Sequence, residues 1–208
     1  MLTKRQTEYQ FDLTGGSLCL DFANTVSRRD DPDQCKEHLT TYSDLISFAA
    51  QTGLILPGQV SGLQVYARRH VKLARDVFHR GIALRETLYR AFAAIAQHQL
   101  PQPADLQRIN DAALEALGHR RLIRSNGGYR WQWNSDGANP LDRIFWPVAN
   151  SAAELLTSKQ LRAVRLCEAP DCEWLFLDHS RNRSRRWCDM TSCGNRQKAR
   201  RHYQRTHE

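Results

Sequence analysis

Cys167-Glu168-Ala169-Pro170-Asp171-Cys172 and, fifteen residues further on, Cys188-Asp189-Met190-Thr191-Ser192-Cys193 form two C-x4-C pairs in a chain of 208 residues. The second pair runs directly into Gly194-Asn195-Arg196 and a stretch of arginines. Zinc takes four thiolates in a tetrahedron with Zn–S of about 2.3 Å, so each pair must turn two sulfurs toward one point. Two pairs of matching spacing specify one zinc ion held by Cys167, Cys172, Cys188 and Cys193. Its role is structural, because a closed four-sulfur site leaves no position for water and no hydrolytic chemistry is expected there. A rival set, Cys188, Cys193, His202 and His207, has the order of a two-Cys two-His finger. Only eight residues separate Cys193 from His202, however, and that choice strands Cys167 and Cys172; such fingers need about twelve.

Between the pairs, Trp174-Leu175-Phe176-Leu177 reads as a strand, Ser180 to Ser184 as a turn and Arg186-Trp187-Cys188 as a returning strand. The predicted module is a zinc-stapled β-hairpin followed by a helix, treble-clef-like, too small to hold a large core without its metal. Asn195 is the expected N-cap of that helix. Ala199 and Tyr203, four apart, are expected to pack on the zinc module with the arginines outward.

Residues 181–205 carry nine Arg and Lys against one acid, Asp189, which accounts for nearly all of the chain's formal charge of +8. Such asymmetry points to a polyanionic partner, DNA first and RNA as the alternative. Arg181, Arg183 and Arg185 on the turn, with Arg186, suit phosphate contacts. On the helix the candidates are Asn195, Arg196, Lys198, Arg200, Arg201 and Arg205; Arg196, Lys198 and Arg200 could read base edges or grip phosphates. Trp174 and Trp187 could stack on bases, but packing around the metal suits them better. One finger buries little DNA surface, so a homodimer is an inferred arrangement.

Hydrophobic residues make up 41% and charged residues 25% of the chain, the composition of a soluble globular protein. No stretch reaches the roughly 20 apolar residues of a membrane span, and Met1 to Gln6 opens without the apolar core of a signal peptide. A cytoplasmic location is expected, where paired thiols bind metal more often than they form disulfides.

Residues 1–157 read as a mainly α domain with a few short strands (α+β), followed by the finger at 158–208. Leu18 to Val26 is a strand or the start of a helix. Tyr42-Ser43-Asp44 starts a helix that ends near Gly53. A helical pattern runs from about Gly58 to Gln99, interrupted at Gly81, and Leu106, Ile109, Ala113 and Leu117 mark another helix. Ser125-Asn126-Gly127-Gly128, between Arg121–Arg124 and Tyr129–Trp133, is the strongest hairpin signal. A further helix covers 141–157.

Asp21 and Asn24, after the Gly15-Gly16 turn, are candidates to line a small-molecule pocket or, the favoured alternative, to cap backbone groups at a structural junction. Cys19 reads as a buried small hydrophobe and Cys35 as a loop thiol. No catalytic constellation stands out, so the chain does not read as an enzyme, the alternative being an enzymatic N-terminal domain that the finger recruits.

Cys167 to Cys172, Trp174 to Asp178, Ser180-Arg181-Asn182, Ser184 to Cys188 and Cys193-Gly194-Asn195-Arg196-Gln197-Lys198-Ala199-Arg200 together resemble the CGNR zinc finger. Leu13, Gly15-Gly16 and Leu18-Cys19-Leu20-Asp21-Phe22-Ala23-Asn24-Thr25 resemble the opening of the ABATE-type domain that precedes such fingers, with Ala23 where the family often has Val. The resemblance implies a stress-induced bacterial transcription regulator, its N-terminal domain a ligand sensor and its finger a zinc-dependent DNA-binding module.

Overall fold

The structure is a computed structural model that describes residues 9–207. Met1 to Gln6, read above as lacking a leader, lies outside the described residues, as does the side chain of His207 from the rival metal set. The helices are α1 (Leu18–Ala23), α2 (Tyr42–Gln51), α3 (Pro57–Arg69), α4 (Val71–Ala96), α5 (Pro103–Gly118), α6 (Phe145–Thr157) and α7 (Asn195–His207). Three two-stranded antiparallel sheets accompany them: β1 (Val26–Ser27) with β2 (Lys36–Glu37), β3 (Arg120–Ser125) with β4 (Gly128–Trp133), and β5 (Val164–Leu166) with β6 (Leu175–Leu177). The mainly helical first region with short strands, and the finger of strands and a final helix, are as the sequence indicates.

Local side-chain chemistry sets the start of α2. Thr41 caps α2 by accepting from the Asp44 N–H, while the Asp44 carboxylate accepts from the Thr41 N–H at 2.8 Å. The segment Leu18 to Val26, ambiguous by periodicity, is the helix α1 running into β1. The long helical pattern breaks at His70 and not at Gly81, which lies inside α4. A Cβ on Gly81 would sit 2.3 Å from Cζ of Phe145, so glycine there admits the Phe145 ring from α6 against the α4 backbone. The Asn126-Gly127 turn joins β3 to β4, with Gly127 at φ 85°.

One core runs through both regions. Phe22, Phe48, Leu88, Phe92, Val148 and Ala152 of the helices pack in the same cluster as Ala163, Val164, Leu175 and Leu177. The chain beyond Thr157 therefore adds a β-ribbon to the helical core before it reaches the metal. Its outer links are equally specific. The Leu177 N–H donates to the Gly15 carbonyl at 2.9 Å, and a Cβ on Gly16, at φ 76°, would come 3.4 Å from the Leu177 Cβ. Trp174 Nε1 donates to the Val26 carbonyl at 2.8 Å, and the Tyr89 hydroxyl to the Glu173 carbonyl at 3.2 Å.

Arg85, its side chain 3% exposed, forks onto both oxygens of Glu37 at 2.6 Å and also reaches Glu86. That pairing fixes the short β1–β2 ribbon to α4. Burial without these carboxylates would leave an uncompensated charge.

Candidate metal centre and nucleic-acid interface

The four predicted cysteines meet. Their sulfur atoms all lie within 4.8 Å of one another and all four residues are buried. Cys188 Sγ is 3.5 Å from Cys172 Sγ and 3.6 Å from Cys193 Sγ. Sulfurs about 2.3 Å from one central ion stand about 3.8 Å apart along each edge of the tetrahedron, so the donor set fits a single zinc. Within the quartet, the hydrogen bond from Cys172 holds the Cys167 thiol far below its ordinary range, and the same contact drives Cys172 far above it. Only a cation at the centre allows all four to be thiolates together.

Cys167 and Cys172 stand on the turn that joins β5 to β6, where the Cys167 N–H donates to the Trp174 carbonyl at 2.8 Å. The hairpin stapled by the metal is therefore β5–β6, in the register Val164↔Leu177. The expected return strand at Arg186-Trp187-Cys188 is irregular chain that bends at Trp187 and Cys188, tied to the first pair by a backbone bond from Glu168 N–H to the Arg186 carbonyl at 2.9 Å. Val164 went unread because its apolar side chain serves the helical core, while the arginines around 186 offer nothing to bury.

Of the second pair, Cys193 is carried on a π-helical turn, Met190–Gly194, that leads straight into α7, and Cys188 lies two residues before that turn. Asp189 starts this turn: its carboxylate accepts from the Ser192 N–H at 2.7 Å and from the Thr191 hydroxyl at 2.5 Å. Asn195, expected as the cap, is already helical, and its amide donates to the Thr191 carbonyl at 3.1 Å. The cap moves six residues upstream because Cys193 must already be on the helical turn to face the other sulfurs.

The arginines fall into distinct environments. Arg185 turns inward: its guanidinium donates to the carbonyls of Trp187 (2.8 Å) and Cys188 and lies 4.8 Å from the Phe176 ring centre. Asp178 holds the loop behind it, accepting from Ser180 and from the Arg185 N–H at 2.9 Å. Burial raises the Asp178 carboxyl, but these donors overcome it and keep the group below its usual range. Arg196 donates to Cys193 Sγ at 3.1 Å and pairs with Asp171 at 3.3 Å; Arg200 reaches the same carboxylate at 3.3 Å. Arg186 pairs with Glu168 at 2.5 Å. Arg181, Arg183, Lys198, Arg201 and Arg205 are exposed, with no ion pair among the described residues. Asp171, which gathers two arginines of α7, carried no signal in the sequence beyond its place between two cysteines.

Packing of α7 departs from expectation. Ala199 and Tyr203 are exposed, Tyr203 at 64%, so the helix does not lie flat on the finger. From Asn195 to Thr206 only Gln197 is partly covered. Trp174 and Trp187 instead pack on the sulfur cluster, as the reading of them as core residues requires.

Asp21 and Asn24 both bond to backbone groups. Asn24, 3% exposed, exchanges two bonds with Leu175, and Asp21 Oδ1 accepts from the Gly15 N–H at 2.8 Å. Burial pushes the Asp21 carboxyl up to about 6. Cys19 is fully buried, which raises its thiol to about 11, and Cys35 is exposed on the β1–β2 loop.

Residues 16–159 match the model of the ABATE family, described as "Putative stress-induced transcription regulator". The chain belongs to that family. Residues 163–206 match the CGNR zinc finger, whose span takes in β5, β6, the four cysteines and α7. The cluster is thus the zinc site of a CGNR finger, holding one structural ion. Neither matched family is a family of enzymes. No curated relative matches the ABATE-family chain. Among the described residues no helix is long and apolar enough to cross a membrane.

Proposed function

We propose that this ABATE-family protein is a transcription regulator that binds duplex DNA through α7. The observation that carries the reading is a 13-residue helix, about 20 Å long, fixed at one end by the metal cluster and exposed on nearly every face beyond it. Lys198, Arg201 and Arg205 supply phosphate contacts from it, with Arg181 and Arg183 from the loop. Arg196 and Arg200 begin in contact with Asp171, so their engagement of DNA exchanges a carboxylate for a phosphate. Two copies on paired half-sites would enlarge the small footprint of one finger.

A sensing role for the helical region is supported by a cavity of about 600 Å³ between α2, α3 and α4, a size suited to a small ligand. Ile46 and Phe78 give it apolar walls, and Arg68, Arg75 and His79 favour an anionic effector.

The test is binding of zinc-loaded full-length protein to labelled duplex DNA across a salt series, alone and with folded RNA as competitor. Neutralising Lys198, Arg201 and Arg205 together is expected to weaken duplex binding and flatten its salt dependence. Equal affinity in the triple variant would overturn the proposal, and preferential capture by RNA would replace DNA with RNA as the partner.

A further inference from the structure

We infer that the exposed face of the β3–β4 hairpin is a stacking platform for single-stranded nucleic acid, separate from the finger. In the register Arg120↔Trp133, Leu122↔Trp131 and Arg124↔Tyr129, these six residues share one face of the ribbon. Trp133 at the foot packs with Trp146 of α6, and Arg120 donates to Asn150 at 3.0 Å, so the ribbon is anchored at its base. Beyond the anchor the face stays exposed among the described residues. Trp131 is 56% exposed, Tyr129 75% and Leu122 59%. Large aromatic side chains are seldom left in water in this way without a partner.

Spacing and charge name that partner. Residues two apart on a strand lie about 6.8 Å apart, twice the roughly 3.4 Å step of stacked bases. One base therefore fits between Tyr129 and Trp131 with a ring on each side. Arg120 lies 5.0 Å from the Trp131 ring centre and 5.4 Å from that of Trp133, which places a cation at the edge of the stack. Residues 118–134 contain four arginines (Arg120, Arg121, Arg124 and Arg130) and no Asp or Glu. Of these, Arg120 and Arg124 lie on the platform face, so a second copy of it would bring four arginines together with Glu154, 3.9 Å from Arg120, as the nearby carboxylate, whereas a phosphate backbone complements them. A duplex keeps its bases stacked on each other; an unpaired strand offers them to the rings, and aromatic stacking supplies sequence-tolerant affinity.

The experiment uses full-length zinc-loaded protein, a fluorescein-labelled oligothymidylate and a labelled duplex, read by anisotropy. Tyr129→Ala with Trp131→Ala is expected to lower oligothymidylate affinity by about tenfold or more, with thermal unfolding unchanged because both side chains are exposed. Tyr129→Phe with Trp131→Phe keeps the rings and restores binding, and it loses the part of the tryptophan quenching that Trp131 contributes. Duplex affinity, assigned to α7, survives in the alanine pair; its loss in the Lys198, Arg201 and Arg205 variant reads on the finger alone. Oligothymidylate affinity within twofold of the parent in the alanine pair overturns the inference. So does sedimentation in which that pair converts a dimer to a monomer, since the face would then be a self-interface.

Discussion

The side-chain amide of Asn24 and the backbone of Leu175 exchange two hydrogen bonds of 2.8 Å across 151 residues of sequence. Asn24 Nδ2 donates to the Leu175 carbonyl, and the Leu175 N–H donates to Asn24 Oδ1. The amide thereby acts as one more strand partner for β6 and locks the finger's ribbon to α1. Asn24→Ala would bury two orphaned backbone groups, at about 1–3 kcal/mol each. We expect it to lower stability by about 2–4 kcal/mol in urea unfolding. Unfolding at the parent midpoint would show that the bonds are not what joins the two regions.

Asp21 gives a pH dependence of defined sign. Its folded value of about 6 lies above the ordinary 3.8, because burial disfavours the carboxylate more than the Gly15 N–H favours it. Between about pH 4 and 6 the folded state holds more protons than the unfolded one, so this group's contribution to stability declines as pH rises through that window. Asp21→Asn keeps an acceptor for Gly15 and removes the titration. The stability of the variant relative to the parent should climb from pH 4 to 6 and then level off; titration of the metal site is common to both. A constant difference would contradict the buried carboxyl.

Two basic residues of the finger should fail in different ways. Lys198→Ala removes an exposed cation from α7 and is expected to make the slope of log affinity against log salt shallower by about 0.9, with zinc content unchanged. Arg185→Ala leaves the Trp187 and Cys188 carbonyls short of a donor. It should weaken zinc retention under chelator challenge while the slope stays near that of the parent. Identical behaviour of the two variants would refute the division.

Zinc removal should uncouple α7 from a core that persists. Cys188→Ser deletes the sulfur that lies 3.5 Å from that of Cys172 and 3.6 Å from that of Cys193. The expected outcome is loss of stoichiometric metal and of helical circular dichroism equal to the 13 residues of α7. The near-ultraviolet signal of the helical region remains, because Val164 and Leu177 stay buried in the shared core. Full zinc content in the variant would displace Cys188 from the ligand set.

Gly81→Ala tests the contact that the sequence pattern misread as a break. The added methyl would collide with Phe145, and overpacking of this kind costs about 1–3 kcal/mol. Restoration by Phe145→Leu in the double variant would establish the clash as the cause.

Several readings that depend on short-range pattern held, although the cap at Asn195 and the return strand at Arg186-Trp187-Cys188 did not. The hairpin at Asn126-Gly127 follows from turn chemistry, the start of α2 from Tyr42-Ser43-Asp44, and the ligand set from cysteine spacing. Readings that depend on a distant surface did not. Ala199 and Tyr203 form an apolar stripe at helical spacing, yet both side chains stay exposed. Gly81 looks like a helix breaker because periodicity cannot register a phenyl ring arriving from α6.

By itself the sequence determined which four sulfurs meet, where the positive charge is concentrated and that the first region is helical, since each is a matter of residue type and local interval. Tertiary structure decided that β5 and β6 belong to the helical core as much as to the metal, that Asn24 is a latch and that Asp171 gathers Arg196 and Arg200. It also sorted the arginines into inward and outward sets. Those outcomes turn on which backbone groups and charges remain unsatisfied once the core has closed, and burial of that kind is set by contacts between residues far apart in the chain.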